Sequence, residues 1–103
     1  MIPFELHPEA AEDIEGIAGS FVYSGPGTAL RLVGEFFAAF DLLAQFPHHG
    51  FLRPELTGRP LRFKLVREYL IAYAPERKPL WIVAVFDGRR NPRVIAAMLR
   101  GRE

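Results

Sequence analysis

Apolar and polar positions alternate with different spacings along the 103 residues, and each spacing predicts a different element. The longest apolar segment, Leu80–Phe86, contains two valines, one isoleucine and two aromatic residues. An unbroken apolar run bounded by turn residues predicts a central strand that is covered on both faces. The turn Asp87–Pro92 follows it and places Arg89 and Arg90 at the exit of this strand.

Two helices are predicted in the first half of the chain. Before them, Ile2–Leu6 alternates like a short strand, and Pro3 suits a sheet edge because proline donates no ladder hydrogen bond. The first helix is predicted from residue 8 to about residue 24. The second, from residue 26 or 28 to about residue 45, carries two adjacent apolar stripes. So wide an apolar surface predicts contacts with both the first helix and a sheet.

Two further strands and a short tail are predicted in the second half. Leu61–Val66 alternates between an apolar face, expected to be buried, and a largely basic face with Arg62 and Lys64, expected to be solvated. The apolar face contains Leu61, Phe63 and Leu65. Glu68–Ala74 follows, and the polar turn after it is long enough only for an antiparallel connection to Leu80–Phe86.

The predicted order is therefore β-α-α-β-β-β with a short tail that can form a helix, an α+β fold in one domain over residues 1–103. A helical hairpin should cover one face of a small, mostly antiparallel sheet. Arg62, Lys64 and the arginines after the central strand are expected to gather on the other face. In the tail, Ile95, Met98 and Leu99 either pack on the domain or form a patch that a partner covers.

Charge is divided unequally between the two halves. Residues 1–50 contain seven acidic residues and one basic residue, a net charge of −6, whereas residues 51–103 contain five acidic and twelve basic residues, a net charge of +7. Either one surface meets an acidic partner, or the two halves neutralise each other across the fold. The chain has no cysteine, no recognisable signal peptide and no apolar run of membrane-spanning length, so we expect a cytoplasmic protein that makes no membrane contact.

A basic binding surface is the main candidate site, although a merely solvated face is the alternative. Its predicted residues are Arg62, Lys64, Arg67, Arg89, Arg90 and Arg93. Trp81 lies in the middle of the central strand and is predicted to be core. The adjacent His48 and His49 point apart and have no suitably spaced third ligand, so neither a metal site nor a cofactor is predicted.

Several segments, in order, resemble the RelE/ParE toxins of bacterial type II toxin–antitoxin modules. The segments that carry the resemblance are the acidic helix start Pro8–Ile14, the helix end Phe40–Pro47 with Gly50, Arg53–Leu56, Arg67–Tyr73, and the apolar strand that runs into Gly88–Asn91. The resemblance implies a small toxin held inactive by a cognate antitoxin of the ribbon-helix-helix, ParD-like type. Operator DNA would be contacted only through that antitoxin. RelE-like members cut mRNA on the ribosome, and ParE-like members inhibit DNA gyrase.

The match to the mRNA-cutting members is incomplete. Arg62, Lys64 and Arg90 match basic residues of that branch, but Leu70 and Ala96 stand where it has an arginine and a tyrosine. The tail therefore lacks a proton acceptor, and the two histidines are expected at the far end of the second helix. The resemblance favours a ParE-like gyrase inhibitor, for which no catalytic residue carries over. A ribosome-dependent mRNA endoribonuclease and an inactive binding module in an autoregulatory complex stay open as alternatives.

Overall fold

A computed structural model describes residues 3–102 and confirms the predicted α+β order. The elements are β1 (Phe4–Leu6), α1 (Pro8–Gly19), a short 3₁₀ turn (Val22–Ser24), α2 (Pro26–Gln45), β2 (Arg62–Val66), β3 (Tyr69–Ala74), β4 (Leu80–Asp87) and α3 (Pro92–Arg100). Ile2, the predicted first residue of β1, lies outside the described residues. No helix within residues 3–102 is long and apolar enough to cross a membrane.

The first helix is shorter than its apolar spacing predicts. The His7 side chain caps its start, because the ring nitrogen Nδ1 accepts a hydrogen bond from the Glu9 amide at 3.0 Å. The helix ends at Gly19 and the chain continues through a 3₁₀ turn. Gly16 and Gly19 both lower the helix propensity of this last turn. Gly25, with φ +110°, then provides the positive φ that leads into α2.

Four strands form one mixed sheet in the order β1-β4-β3-β2. Strand β4 is central, as predicted, and is antiparallel to β3 and parallel to β1. Because β1 has three residues and β4 has eight, β1 pairs only with Leu80–Ile82. The edge of β4 beyond Ile82 therefore needs other partners for its backbone groups.

Separate apolar clusters cover the two faces of the sheet. On one face, α1 and α2 pack through Ile14, Phe36 and Phe40 against strand residues such as Ile71 and Tyr73. On the opposite face, α3 and the loop before β2 cover the sheet. Their apolar residues Leu56, Leu61, Ile95 and Leu99 pack with the strand residues Phe63, Ala72, Ala84 and Phe86. The tail is thus a helix that completes the core.

The predicted positions of the β2 side chains were wrong in two respects. Directly paired residues of antiparallel strands share a face, and Lys64 pairs with Ile71, which faces the helices. The basic residues of β2 therefore lie on the helical face. Leu65, expected to be buried, is 53% exposed, because β2 is an edge strand and α3 does not extend over its outer end.

Candidate functional site

The turn after α2 is fixed to the sheet by one phenol group. Tyr73 Oη donates a hydrogen bond to the Pro47 carbonyl at 2.7 Å and accepts one from the Gly50 amide at 2.8 Å. A Cβ at residue 50 would lie 2.5 Å from Tyr73 Oη and 2.7 Å from the Phe63 carbonyl oxygen, so the close approach requires glycine. Burial raises the pKa of Tyr73, which keeps the phenol protonated as a donor. The turn is thereby held rigidly against β2 and β3.

This turn brings three basic side chains together, and we call His49, Arg62 and Lys64 the turn cluster. Arg62 Nη1 donates to the Gly50 carbonyl at 2.7 Å, and Lys64 Nζ lies 3.2 Å from His49 Nε2. Since an ammonium group can only donate, His49 Nε2 is the acceptor in this contact. His49 does lie beyond the far end of α2, as predicted, but that end adjoins β2. Among the described residues, none of the three cluster side chains has a carboxylate partner.

The arginines at the exit of β4 differ in whether they form an ion pair. Arg89 binds the carboxylate of Asp87 with contacts of 2.8 and 3.0 Å, and these hydrogen bonds lower the pKa of Asp87 to about 2. Arg90 lines an open cleft of about 590 Å³ between α1 and β4. Within residues 3–102, neither Arg90 nor Arg93 has an ion-pair partner. Two arginines without an ion pair therefore remain at this end of the sheet, although the charge of Arg90 still acts on Asp87.

The turn cluster and the β4 exit lie at opposite ends of the sheet. Arg62 is level with Tyr73 and Ile82, whereas Val66 is level with Tyr69 and Asp87. Four residues along a strand span about 13 Å and two strand spacings span about 10 Å, which together separate the Arg62 and Asp87 backbones by roughly 16 Å. The structure therefore brings Arg62 and Lys64 together but leaves Arg90 elsewhere.

Arg67 connects the two oppositely charged halves. It lies in the β2–β3 turn with φ +55°, and its guanidinium binds both carboxylate oxygens of Glu35 on α2, at 2.6 and 2.8 Å. This hydrogen bonding lowers the pKa of Glu35. Part of the opposite charge of the halves is thus neutralised within the fold.

Arg102, which the sequence analysis did not single out, is the most elaborately bound cation. Its side chain is 10% exposed and contacts the Asp13 carboxylate at 2.6 and 3.0 Å. It also donates to the Val83 carbonyl at 3.1 Å, while Asp13 accepts from the Val85 amide at 3.0 Å. Hydrogen bonding to Asp13 raises the pKa of Arg102. These two side chains satisfy the edge of β4 that the short β1 leaves open.

A second arginine fixes the same C-terminal segment. Arg59 donates to the Leu99 carbonyl at 2.9 Å and also to the Arg102 carbonyl. No local sequence pattern indicates either contact, because Arg59 and Arg102 act on residues 40 and 89 positions away. Together they hold α3 against the sheet.

Of the two possibilities left open for the apolar residues of the tail, the structure shows the first, packing on the domain. Ile95 is 2% exposed and Leu99 is fully buried, because α3 lies with this face on the sheet. Met98 is partly buried against the same cluster. In this arrangement Ile95 and Leu99 belong to the core of the domain, and Val94, 46% exposed, is the apolar residue that α3 presents outward.

These features define a small α+β domain with a helical hairpin on one sheet face and basic side chains collected at both ends of the sheet. A family model described as the ParE toxin of the type II toxin–antitoxin system parDE matches residues 4–92, and the chain belongs to this family. The predicted resemblance is thereby confirmed, and a cognate antitoxin is the partner that the family implies. No curated protein matches the chain in a sequence search.

Proposed function

We propose that this protein is a ParE-like toxin that inhibits DNA gyrase and is neutralised by a cognate antitoxin. The observation that carries the proposal is the separation of the residues that match the mRNA-cutting branch. A single catalytic centre needs its cations around one phosphate, but Arg90 follows the end of the sheet opposite Arg62, and Lys64 lies between them, level with Val85. Dispersed basic surfaces suit binding to a large protein target better than catalysis.

The surroundings of Leu70 support the same proposal. Leu70 stands where the mRNA-cutting relatives have an arginine, and it is 3% exposed within the apolar cluster under α3. Leu70 also lies 3.2 Å from the position that a Cβ on Gly88 would occupy. A charged side chain could not be buried here without a partner, so the position serves the core.

Pulse labelling after induced expression in bacteria without the antitoxin tests the proposal. Thymidine and methionine incorporation are followed in parallel, and purified protein is added to a gyrase supercoiling assay. We expect DNA synthesis to stop first and supercoiling to be inhibited. Early loss of methionine incorporation with normal supercoiling would refute gyrase inhibition.

For the target-binding surface we propose the two exposed arginines at the β4 exit that form no ion pair within residues 3–102, Arg90 and Arg93. Both are exposed, and neither supports the fold through an ion pair within residues 3–102. Replacing both with Glu should abolish gyrase inhibition without lowering the unfolding temperature by more than a few degrees. An unchanged inhibition would place the target contact elsewhere.

One observation favours a second candidate, an mRNA endoribonuclease centred on the turn cluster. Cleavage by a ribose 2′-hydroxyl needs a proton acceptor and positive charge near the phosphate. In this structure the single lone pair of His49 Nε2 accepts from Lys64, so His49 would take the 2′-hydroxyl proton only after Lys64 turns to the phosphate, where Lys64 and Arg62 would stabilise the charge. The cluster thus contains the acceptor that the tail lacks.

The histidine pair provides a matched control for this second candidate. His48→Ala removes a contact with Glu76 at 3.1 Å on the surface, whereas His49→Ala removes the proposed acceptor. If the protein cuts mRNA on the ribosome, His49→Ala should lower cleavage at least a hundredfold and His48→Ala should leave it near the wild-type rate. Equal cleavage by both variants would refute the role of His49.

A further inference from the structure

A groove with four prolines lies where β1, the end of α2 and the β3–β4 turn meet. Its volume is about 490 Å³, which is typical of ligand-binding pockets in proteins. The residues that line it are Pro3, Ala44, Pro47, Pro75, Arg77, Lys78, Pro79 and Leu80. Pro75 and Leu80 are buried and form its floor. Neither the turn cluster nor the β4 exit contributes to it.

The charge of this groove has one sign. Among the described residues 3–102, Arg77 and Lys78 are the only charged ones that line the groove, and both are exposed at its rim. The neighbouring Glu76 points to His48, with which it forms a contact at 3.1 Å. An occupant should therefore combine an apolar group for the floor with a carboxylate for the rim.

The lining also limits how an occupant is held. Proline has no amide hydrogen, so four of the eight lining residues that the structure describes cannot donate a backbone hydrogen bond to a ligand. Because backbone donors are few, apolar contact and the two cations would provide most of the recognition. A peptide segment with large apolar side chains flanked by acidic residues meets both requirements.

We propose that this groove binds an acidic, apolar peptide segment of the cognate antitoxin, an assignment that rests on the proposed function for the identity of the partner. The segment would insert an apolar side chain over Leu80 and place carboxylates beside Arg77 and Lys78. Phe46, next to the lining residue Pro47 and 57% exposed, extends the apolar surface beyond the groove. The groove lies at the β1 side of the sheet and the turn cluster at its β2 edge, so the toxin would be bound at a surface to which neither the turn cluster nor the β4 exit contributes.

Trp81 makes the proposal directly measurable. It is the single tryptophan of the chain, and the guanidinium carbon of Arg77 lies 4.5 Å from the centre of its ring. A ligand that engages Arg77 should change the fluorescence of Trp81. Amide chemical shifts of Ala44 and Leu80 report independently on the groove wall and floor.

The probe is a seven-residue peptide of alternating Glu and Leu with blocked ends, compared with the same peptide carrying Lys in place of Glu. We expect saturable changes at Trp81, Ala44 and Leu80 with the acidic peptide and at least tenfold weaker binding of the basic one. Lys78→Glu should weaken the acidic peptide at least tenfold. The matched reversal Arg100→Glu, on exposed α3 surface, should not.

Several results would overturn the proposal. Absence of binding, equal affinity for both peptides, or shifts confined to another surface would each do so. Shifts of the groove residues on dilution without peptide would assign the groove to a second copy of the chain. Failure of the proposed function would give a different result from failure of this proposal. In that case DNA and protein synthesis would both continue after expression, while the acidic peptide would still bind the groove.

Discussion

Replacing Arg102 with Ala should destabilise the fold more than any surface substitution. The change removes two hydrogen bonds to Asp13 and one to the Val83 carbonyl, and it leaves a carboxylate that is only 18% exposed. Breaking a buried ion pair from one side costs about 3–5 kcal/mol. Because some water reaches Asp13, we expect about 3 kcal/mol, which corresponds to a fall in Tm of roughly 12–24 °C for a domain of this size.

Urea and thermal unfolding followed by circular dichroism would measure this loss. Arg100→Ala is the control, since Arg100 is the exposed last residue of α3, two positions before Arg102, and its loss should change stability by less than about 1 kcal/mol. A double-mutant cycle with Asp13→Ala should give a coupling energy of about 2 kcal/mol or more. If Arg102→Ala costs less than about 1 kcal/mol, or if the two changes are additive, Arg102 does not anchor α3 as inferred.

Three further predictions concern the turn, the acid range and the tail. Gly50→Ala should cost about 1–3 kcal/mol of stability, because its Cβ would meet the Tyr73 hydroxyl at 2.5 Å. The control Gly34→Ala, whose Cβ would have nothing within 4 Å, should stabilise α2 by up to about 1 kcal/mol. Unfolding midpoints of the two variants measure this difference, and equal effects would contradict the close approach at residue 50. The Asp87 pKa of about 2 lies below the ordinary value, so its stabilisation is present above about pH 4 and is lost as the pH falls toward 2. Stability of wild type and Asp87→Asn should thus differ most near neutral pH and converge below pH 2, and a constant difference would refute the assignment. Leu99→Ala should cost about 2–5 kcal/mol by urea unfolding, and a cost near zero would mean that α3 does not complete the core.

Sequence patterns predicted the elements well where one local period dominates. The unbroken apolar run of β4 indicated a strand covered on both faces, and the double stripe of α2 indicated two contacts; both predictions are confirmed. The start of α3 also carried a signal, since the Asn91 side chain accepts from the Arg93 amide and Pro92 follows as the first helical residue. The prediction treated these residues as a turn only.

Features that depend on distant residues were not predictable. Alternation in β2 separated its two faces correctly, but it could not show which face the helices cover or that the edge position leaves Leu65 exposed. The contact between His49 and Lys64 depends on how the turn after α2 docks. The ion pair of Asp13 and Arg102 joins residues 89 positions apart, and no local pattern encodes such a pair.

The short β1 has a consequence for the order in which the molecule can assemble. Strands β2, β3 and β4 are consecutive in sequence and can pair through local turns. By contrast, β1 can pair only once residues 80–82 are present, and Asp13 can form its ion pair only once Arg102 is present. During synthesis, the apolar sides of α1 and α2 therefore exist before any sheet can cover them. We expect the nascent chain to depend on chaperones, or on an early-binding partner, until residue 102 has left the ribosome.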